Sequence, residues 1–178
     1  MAIVKGRTMI LKTPRLILRP QQQGDAAALF AILSDERAMR FWNRTAIDRL
    51  AVVQDLVREQ QDAMAGGLCR YWTLMEDGEA IGSVDISLIG DGSAELGFVL
   101  RPDRWGLGLA SEAVGAVIAH GFGELGLARL AAAVQTANRA AARVLEKSGF
   151  TRIEEHSVRL ADGQNKDCTF YLLARRNP

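Results

Sequence analysis

Gly106 and Gly108, followed by Ala110, stand between a strand-like run over 94–100 and an apolar-periodic stretch that continues to about Leu125. Small residues let a backbone approach a ligand closely, and the unpaired N–H groups at a helix start favour an anion. Residues 99–112, VLRPDRWGLGLASE, therefore propose a phosphate or pyrophosphate cradle. The glycines alone are equally compatible with a strand-to-helix turn that binds nothing. Glu95 is the only acid in the strand that leads into this loop, and Asp85 falls on the strand before it. A carboxylate beside such a cradle is a candidate general base, with Glu95 the first choice and Asp85 the reserve.

The elements that must position these groups can be read from periodicity. Residues 15–19 (RLILR) alternate as a first strand that Pro20 ends. Asp25 occupies the N-cap position of a short helix with Ala26, Leu29, Phe30 and Leu33 at helical spacing. Leu50, Val53, Val57 and Met64 continue that spacing in a second helix, stopped by Gly66 and Gly67. Strands over 70–76, 80–88 and 94–100 are joined by Asp77-Gly78 and Gly90-Asp91-Gly92, which predicts an antiparallel meander. The central helix presents Ala110, Ala113, Val114, Val117, Ile118, Gly121, Phe122 and Leu125 as a broad face for a sheet. A strand over 129–135, a helix over 138–148 stopped by Gly149, and strands over 151–160 and 166–174 turning at Asp162-Gly163 complete the chain. Strand, helix, strand implies one parallel pair around the central helix. A ligand is then expected where those parallel strands diverge, beyond their carboxyl ends.

The chain-wide features are mostly exclusions. At 178 residues, one domain spanning 1–178 suffices. With 22 Lys plus Arg against 21 Asp plus Glu, the net charge of +1 gives no electrostatic case for nucleic acid or a membrane surface. Met9-Ile10-Leu11 is too short for a signal-peptide core, and no 18 apolar residues run together, so a cytoplasmic protein is expected. Cys69 and Cys168 lack metal-ligand spacing and read as two reduced thiols, with no metal expected. Gly121-Phe122-Gly123-Glu124-Leu125-Gly126 matches GxGxxG but lies at a helix end, before a strand, which is the reverse of a dinucleotide site. No Lys-Ser or Lys-Thr pair follows Gly108, so the loop is not of the Walker type. His120 on the central helix and His156 in a late strand read as structural, with His156 also able to face an acceptor cleft.

Trp105-Gly106-Leu107-Gly108-Leu109-Ala110 resembles the acyl-CoA signature of the GNAT N-acetyltransferase superfamily, Gln/Arg-x-x-Gly-x-Gly/Ala, with Trp105 in the first position. That replacement is similar to the ribosomal-protein N-acetyltransferase (RimJ/RimL) branch. Further blocks resemble the same branch: residues 13–19 (TPRLILR), Glu95-Leu96-Gly97-Phe98, Ala110-Ser111-Glu112-Ala113, and Asn138 with Glu146-Lys147-Ser148-Gly149-Phe150. The resemblance implies an α/β (α+β) fold with a mixed, mostly antiparallel twisted sheet of about six to seven strands flanked by about four helices.

It also implies acetyl-CoA as co-substrate, and a primary amine as acceptor. Arg104, Trp105, Gly106, Leu107, Gly108, Leu109, Ala110 and Ser111 are implied to offer N–H groups to the pyrophosphate. Phe98, Val99 and Leu100 are implied to pair with the pantetheine arm, whose amides can match an open sheet edge. Gly97 is expected to mark the bulge that opens that edge. Asn138 joins the coenzyme site, and Arg101, Arg104, Arg139 and Arg143 are phosphate candidates, with Arg104 favoured and Arg143 retained. Glu95 takes the position of the family's proton-accepting glutamate, and a main-chain N–H near Leu100 is expected to hold the oxyanion. Trp42, Phe41, Tyr71 and Trp72 are expected either to wall the acceptor cleft or to pack in the core, and Asp85 to face the acceptor.

Two positions depart from the family. Ala141 and Leu145 stand where a serine or a tyrosine is assigned to protonate the leaving thiolate. A thiol of pKa about 8.5 leaves readily as its anion, so the reaction can proceed without such an acid. A protein or peptide N-terminus is the easier acceptor, since deprotonating lysine at neutral pH costs about 3 kcal/mol more; a small-molecule amine stays open, as does a homodimer. The rival reading is a non-catalytic acyl-CoA-binding or sensing protein of the same fold.

Overall fold

The computed structural model describes residues 9–160 and 163–175. Eight strands form one sheet: β1 (Leu11–Lys12), β2 (Ile17–Pro20), β3 (Arg70–Glu76), β4 (Glu79–Gly90), β5 (Ser93–Leu100), β6 (Arg129–Gln135), β7 (Thr151–Arg159) and β8 (Asn165–Ala174). The helices are α1 (Ala26–Leu33), α2 (Glu36–Met39), α3 (Leu50–Ala65), α4 (Leu109–Gly123) and α5 (Arg139–Lys147). The strand order is β1-β2-β3-β4-β5-β6-β8-β7, and every neighbouring pair is antiparallel except β5 and β6. The sheet thus has one strand more than expected, and there is one helix more. The additions are the two-residue β1 and the single turn α2, both too short to carry a hydrophobic period.

Period-2 alternation divides the sheet into two faces. Ile81, Val84 and Ile86 of β4 are buried in the larger core, with Trp72 and Leu74 of β3 and Leu109, Ala113, Val114 and Val117 of α4. Leu145 brings α5 into the same cluster. On the other face α1, α2 and α3 form a second core through Leu29, Ile32, Met39, Val53 and Val57, and Val99 of β5 joins it. Trp72 is fully buried and donates its indole N–H to the Met9 carbonyl at 2.8 Å, which decides its two expected roles in favour of the core.

Several local expectations need correction. Asp25 precedes α1 but does not cap it; its carboxylate instead accepts from the Gln22 N–H at 2.8 Å, from Arg19 and from Thr73. Gly97 is not a bulge, because the β4–β5 register runs unbroken from Gly82 opposite Leu100 to Ser87 opposite Glu95. The irregularity lies beyond, between Ser87 and Gly90, where Leu88 takes a φ of 51°. Gly121 packs against Ile86 and Leu127, so the GxGxxG stretch serves helix–sheet packing. Of the expected last turn, Asp162 lies outside the described residues; the Gly163 N–H donates to the Leu160 carbonyl at 2.9 Å. Both cysteines are buried free thiols. Among the described residues no helix is long and apolar enough to cross a membrane.

Candidate active site

The parallel pairing of β5 with β6 stops early. It covers Ser93 opposite Arg129 through Glu95 opposite Ala131 and goes no further. On the other side of β5, the Arg101 N–H donates to the Ile81 carbonyl at 2.8 Å. Hydrogen-bonded and non-hydrogen-bonded pairs alternate along an antiparallel ladder, so Val99, Gly97 and Glu95 bond to β4, whereas Leu96, Phe98 and Leu100 turn their backbone groups the other way. Past Glu95, Phe98 and Leu100 therefore face a gap that holds no neighbouring strand. The indole N–H of Trp105 reaches back to the Leu100 carbonyl at 3.0 Å. A cleft of about 900 Å³ follows this gap, and both Phe98 and Leu100 line it.

The gap runs to the start of α4. Gly108, the N-cap, has a φ of 80° and ψ of 0°, and Gly106 a φ of 76°. Left-handed backbone at both positions favours glycine, and the first N–H groups of α4, just beyond it, have no partner within the helix. Gly106, Gly108, Leu109, Ala110 and Ser111 all line the cleft. Leu107 does not: its side chain is exposed and its carbonyl accepts from Arg15 at 2.9 Å. Arg15 also pairs with Glu112, which accepts from the Thr13 hydroxyl at 2.5 Å as well. The N-terminal TPR and the ASE after the glycines thus meet in space and brace the loop.

The acidic groups lie on the floor. Tyr71, Asp85 and Gly97 are opposite one another on β3, β4 and β5, and Ser87 faces Glu95 in the adjoining row. Cross-strand partners share a face, and all five residues line the cleft. Glu95 is exposed, while Asp85 is partly buried. A Cβ at Gly97 would stand 2.7 Å from Asp85 Oδ1, so the Asp85 carboxyl lies over Gly97 in the space its missing side chain leaves. Burial pushes the Asp85 carboxyl up to about 7; Ser87 opposes the shift and the charge of Glu95 adds to it. Burial, with Asp85 nearby, also holds the Tyr71 hydroxyl well above the usual phenol range.

The cations are unequal. Arg104 lines the cleft, but its guanidinium is engaged by Glu76 at 2.7 Å and by Asp103 at 2.8 Å. Arg101 is paired with Asp103 and Glu79. Arg143 and Lys147, one turn apart on α5, line the cleft, are exposed and carry no ion pair among the described residues. Asn138 caps α5, accepting from the Ala141 N–H at 3.1 Å, and its amide N–H₂ is left for a ligand. Trp42 and Phe41 also line the cleft. His156 stacks on Phe170, ring centroids 4.4 Å apart, and it is Phe170 that lines the cleft. His120 is buried edge-on to Trp72. Ala141 lines the cleft and Leu145 is fully buried in the core. Among the described residues no group of three or more His, Cys, Asp and Glu gathers.

Sequence reasoning passed over Arg15 as a brace, Lys147 as a free cation and Ser87 between the two acids. The i, i+4 spacing of Arg143 and Lys147 was available as a signal. The other two depend on which strands pair and in what register.

A sheet split beside a glycine-lined helix start defines the class of fold. It is shared with the spermidine N-acetyltransferase from Vibrio cholerae in complex with CoA and spermine, at a TM-score of 0.80 and 19% identity, covering 91% of this chain and 96% of that one. An acetyltransferase from Salmonella typhimurium that modifies the N-terminal serine of ribosomal protein L7/L12 superposes with a TM-score of 0.82 and 18% identity, covering 94% and 100%. The family description "Acetyltransferase (GNAT) domain" matches residues 15–151. The chain is also 34% identical over 151 residues to the uncharacterized N-acetyltransferase YoaA of Bacillus subtilis (strain 168), covering 80% of this chain and 83% of the relative. The chain belongs to the GNAT acetyltransferase family.

Proposed function

We propose that this protein, as a single domain, transfers the acetyl group of acetyl-CoA to a primary amine by direct attack in a ternary complex, and that it belongs to the RimJ/RimL-type branch. The observation that carries the reading is the edge at Phe98 and Leu100 that no neighbouring strand covers, which runs into the glycine-lined start of α4. An extended pantetheine supplies amides for such an edge, and a pyrophosphate supplies the anion for such a helix start. Arg143 and Lys147 on α5 are cations free to meet the remaining phosphate, and Asn138 at the start of that helix offers its amide. Arg104 holds the loop through Glu76 and Asp103 while keeping further N–H groups for phosphate.

Glu95 receives the proton of the acceptor amine through an intermediary, since it stands at the exposed wall. The gap-facing N–H groups of Leu100 and Phe98 are the donors for the oxyanion. Strand rise places Leu100 about 16 Å and Phe98 about 10 Å along the strand from Glu95, so Phe98 is the donor nearer the base. Trp42 and Tyr71 wall the acceptor end, with Asp85 on its floor. A protein N-terminus and a small amine both fit this class of acceptor.

The presence of Ala141 on the cleft wall and of Leu145 in the core favours a second reading, a non-catalytic acyl-CoA-binding protein. Thiol release from acetyl-CoA across an amine panel, wild type against Glu95→Gln, separates the two. The enzyme reading expects turnover that the substitution lowers, with CoA affinity nearly intact. Tight CoA binding with no turnover on any amine supports the sensor.

A further inference from the structure

We infer that Asp85 is a second acid–base residue of the site, leaning over the bare backbone of Gly97 to meet the acceptor amine and passing its proton through Ser87 to Glu95. This rests on the acetyl-transfer reading above and names the intermediary that Glu95 needs. Three observations converge. The Asp85 carboxyl occupies the volume that a side chain at position 97 would fill, with Oδ1, Cγ and Oδ2 at 2.7, 3.3 and 3.4 Å from that Cβ position. Gly97 immediately precedes Phe98, whose backbone faces the gap, so a carboxyl over Gly97 lies beside the open edge, one strand closer to it than β4 itself. Ser87 stands two residues along β4 and directly opposite Glu95, which makes a short row from a partly buried acid to an exposed one.

Among the described residues no cation forms an ion pair with Asp85. Glu95 faces it from β5, Tyr71 from β3 and Cys69 from the residue before β3, and Ser87 from its own strand. From the helical side, Gln60 of α3 and Arg44 approach the Tyr71 hydroxyl, and Arg70 acts on Cys69. A partly buried carboxyl beside one other acid, a phenol and a thiol is pushed up toward neutrality, where an acceptor of protons from ammonium is most effective. The entering ammonium supplies the counter-charge that Asp85 otherwise lacks.

The protons balance without a co-reactant. The ammonium gives one proton to Asp85, and the freed lone pair forms the N–C bond at the thioester carbonyl. The C–S bond then breaks; sulfur leaves with the electron pair and takes the second nitrogen proton to become the thiol. The proton on Asp85 moves by way of the Ser87 hydroxyl to Glu95 and to solvent. Asp85 on this account replaces nothing at Ala141; it serves the amine, not the thiolate.

The test is the pH profile of kcat/KM for acetylation of spermine and of a peptide with N-terminal serine, together with CoA affinity as the check of folding. Wild type is expected to show an acid limb near pH 7. Asp85→Asn is expected to lower kcat/KM about a hundredfold and to abolish that limb. Gly97→Ala, which displaces the carboxyl, is expected to act in the same direction, and the double variant to be no worse than Asp85→Asn alone. Glu95→Gln is expected to move the limb to lower pH, because a neighbouring charge is gone. CoA affinity within twofold of wild type in all variants attributes these effects to the acceptor side. An Asp85→Asn profile within twofold of wild type, with its limb in place, overturns the inference while leaving acetyl transfer standing. Absence of wild-type turnover on both acceptors, with CoA bound tightly, overturns both.

Discussion

Arg15 and Glu112 are 97 residues apart in the chain and meet at the first turn of α4, where the Arg15 backbone N–H and Nε donate to the two carboxylate oxygens at 2.9 and 2.7 Å. The same guanidinium donates to the Leu107 carbonyl at 2.9 Å. The N-terminal segment therefore holds the glycine loop in the shape that exposes its N–H groups. Arg15→Ala is expected to raise the KM for acetyl-CoA about tenfold, the scale of one charge-assisted hydrogen bond, and to leave kcat within about twofold. Steady-state kinetics with acetyl-CoA varied checks it; an unchanged KM shows that the loop holds its shape unaided.

Gly108 has a φ of 80°, which a β-branched residue adopts only under strain. Gly108→Val is expected to weaken CoA binding by at least 1–2 kcal/mol, about five- to thirtyfold, the cost of a left-handed non-glycine residue. Quenching of Trp105 fluorescence by CoA measures this, and unaltered affinity counts against the cradle.

At Gly82 the constraint is steric. A Cβ there would lie 2.3 Å from the Val99 carbonyl oxygen and 3.2 Å from Leu100 Cα. Gly82→Ala must push the end of β5 outward, at a cost of about 1–3 kcal/mol. Calorimetry should show the melting temperature falling by about 2–10 °C, given the usual slope for a chain of this size. A melting temperature equal to wild type contradicts the close approach of the two strands.

Asp25 carries a pH dependence of stability. Burial opposes its charge, but Arg19, Thr73 and the Gln22 N–H outweigh burial and hold the folded pKa below the ordinary 3.8. A depressed folded pKa means the unfolded state binds the proton more tightly, so the stabilisation is present above 3.8 and is lost as pH falls through the folded value. Denaturant titrations from pH 6 down to about 2 should show a steeper loss for wild type than for Asp25→Asn. Parallel curves remove Asp25 from the acid transition.

These residues also mark what the chain discloses on its own. The meander over β3, β4 and β5, the parallel return to β6 and the glycine loop were legible because hairpin dipeptides, alternation and helical spacing are local signals. The two-residue β1 and the single turn α2, capped by the Asp35 side chain, are too short for any period to register. Asp25 looked like a helix cap by position, yet its carboxylate turned to Arg19 and Thr73, a choice made by the β2–β3 pairing. Glu95 and Asp85 could each be named as acids near the loop. That Asp85 reaches over Gly97 depends on a register in which Asp85 faces glycine, and register is a property of two strands rather than of either one.

The central claim is that this cleft moves an acetyl group onto an amine. Incubating the wild-type protein with acetyl-CoA and each amine of a panel containing spermine and an N-terminal-serine peptide, then measuring acetylated amine by mass spectrometry alongside released CoA thiol, tests it directly. The account predicts at least one amine acetylated in a one-to-one ratio with thiol, and a rate that falls in Glu95→Gln. Saturable CoA binding with no acetylated amine anywhere in the panel contradicts it.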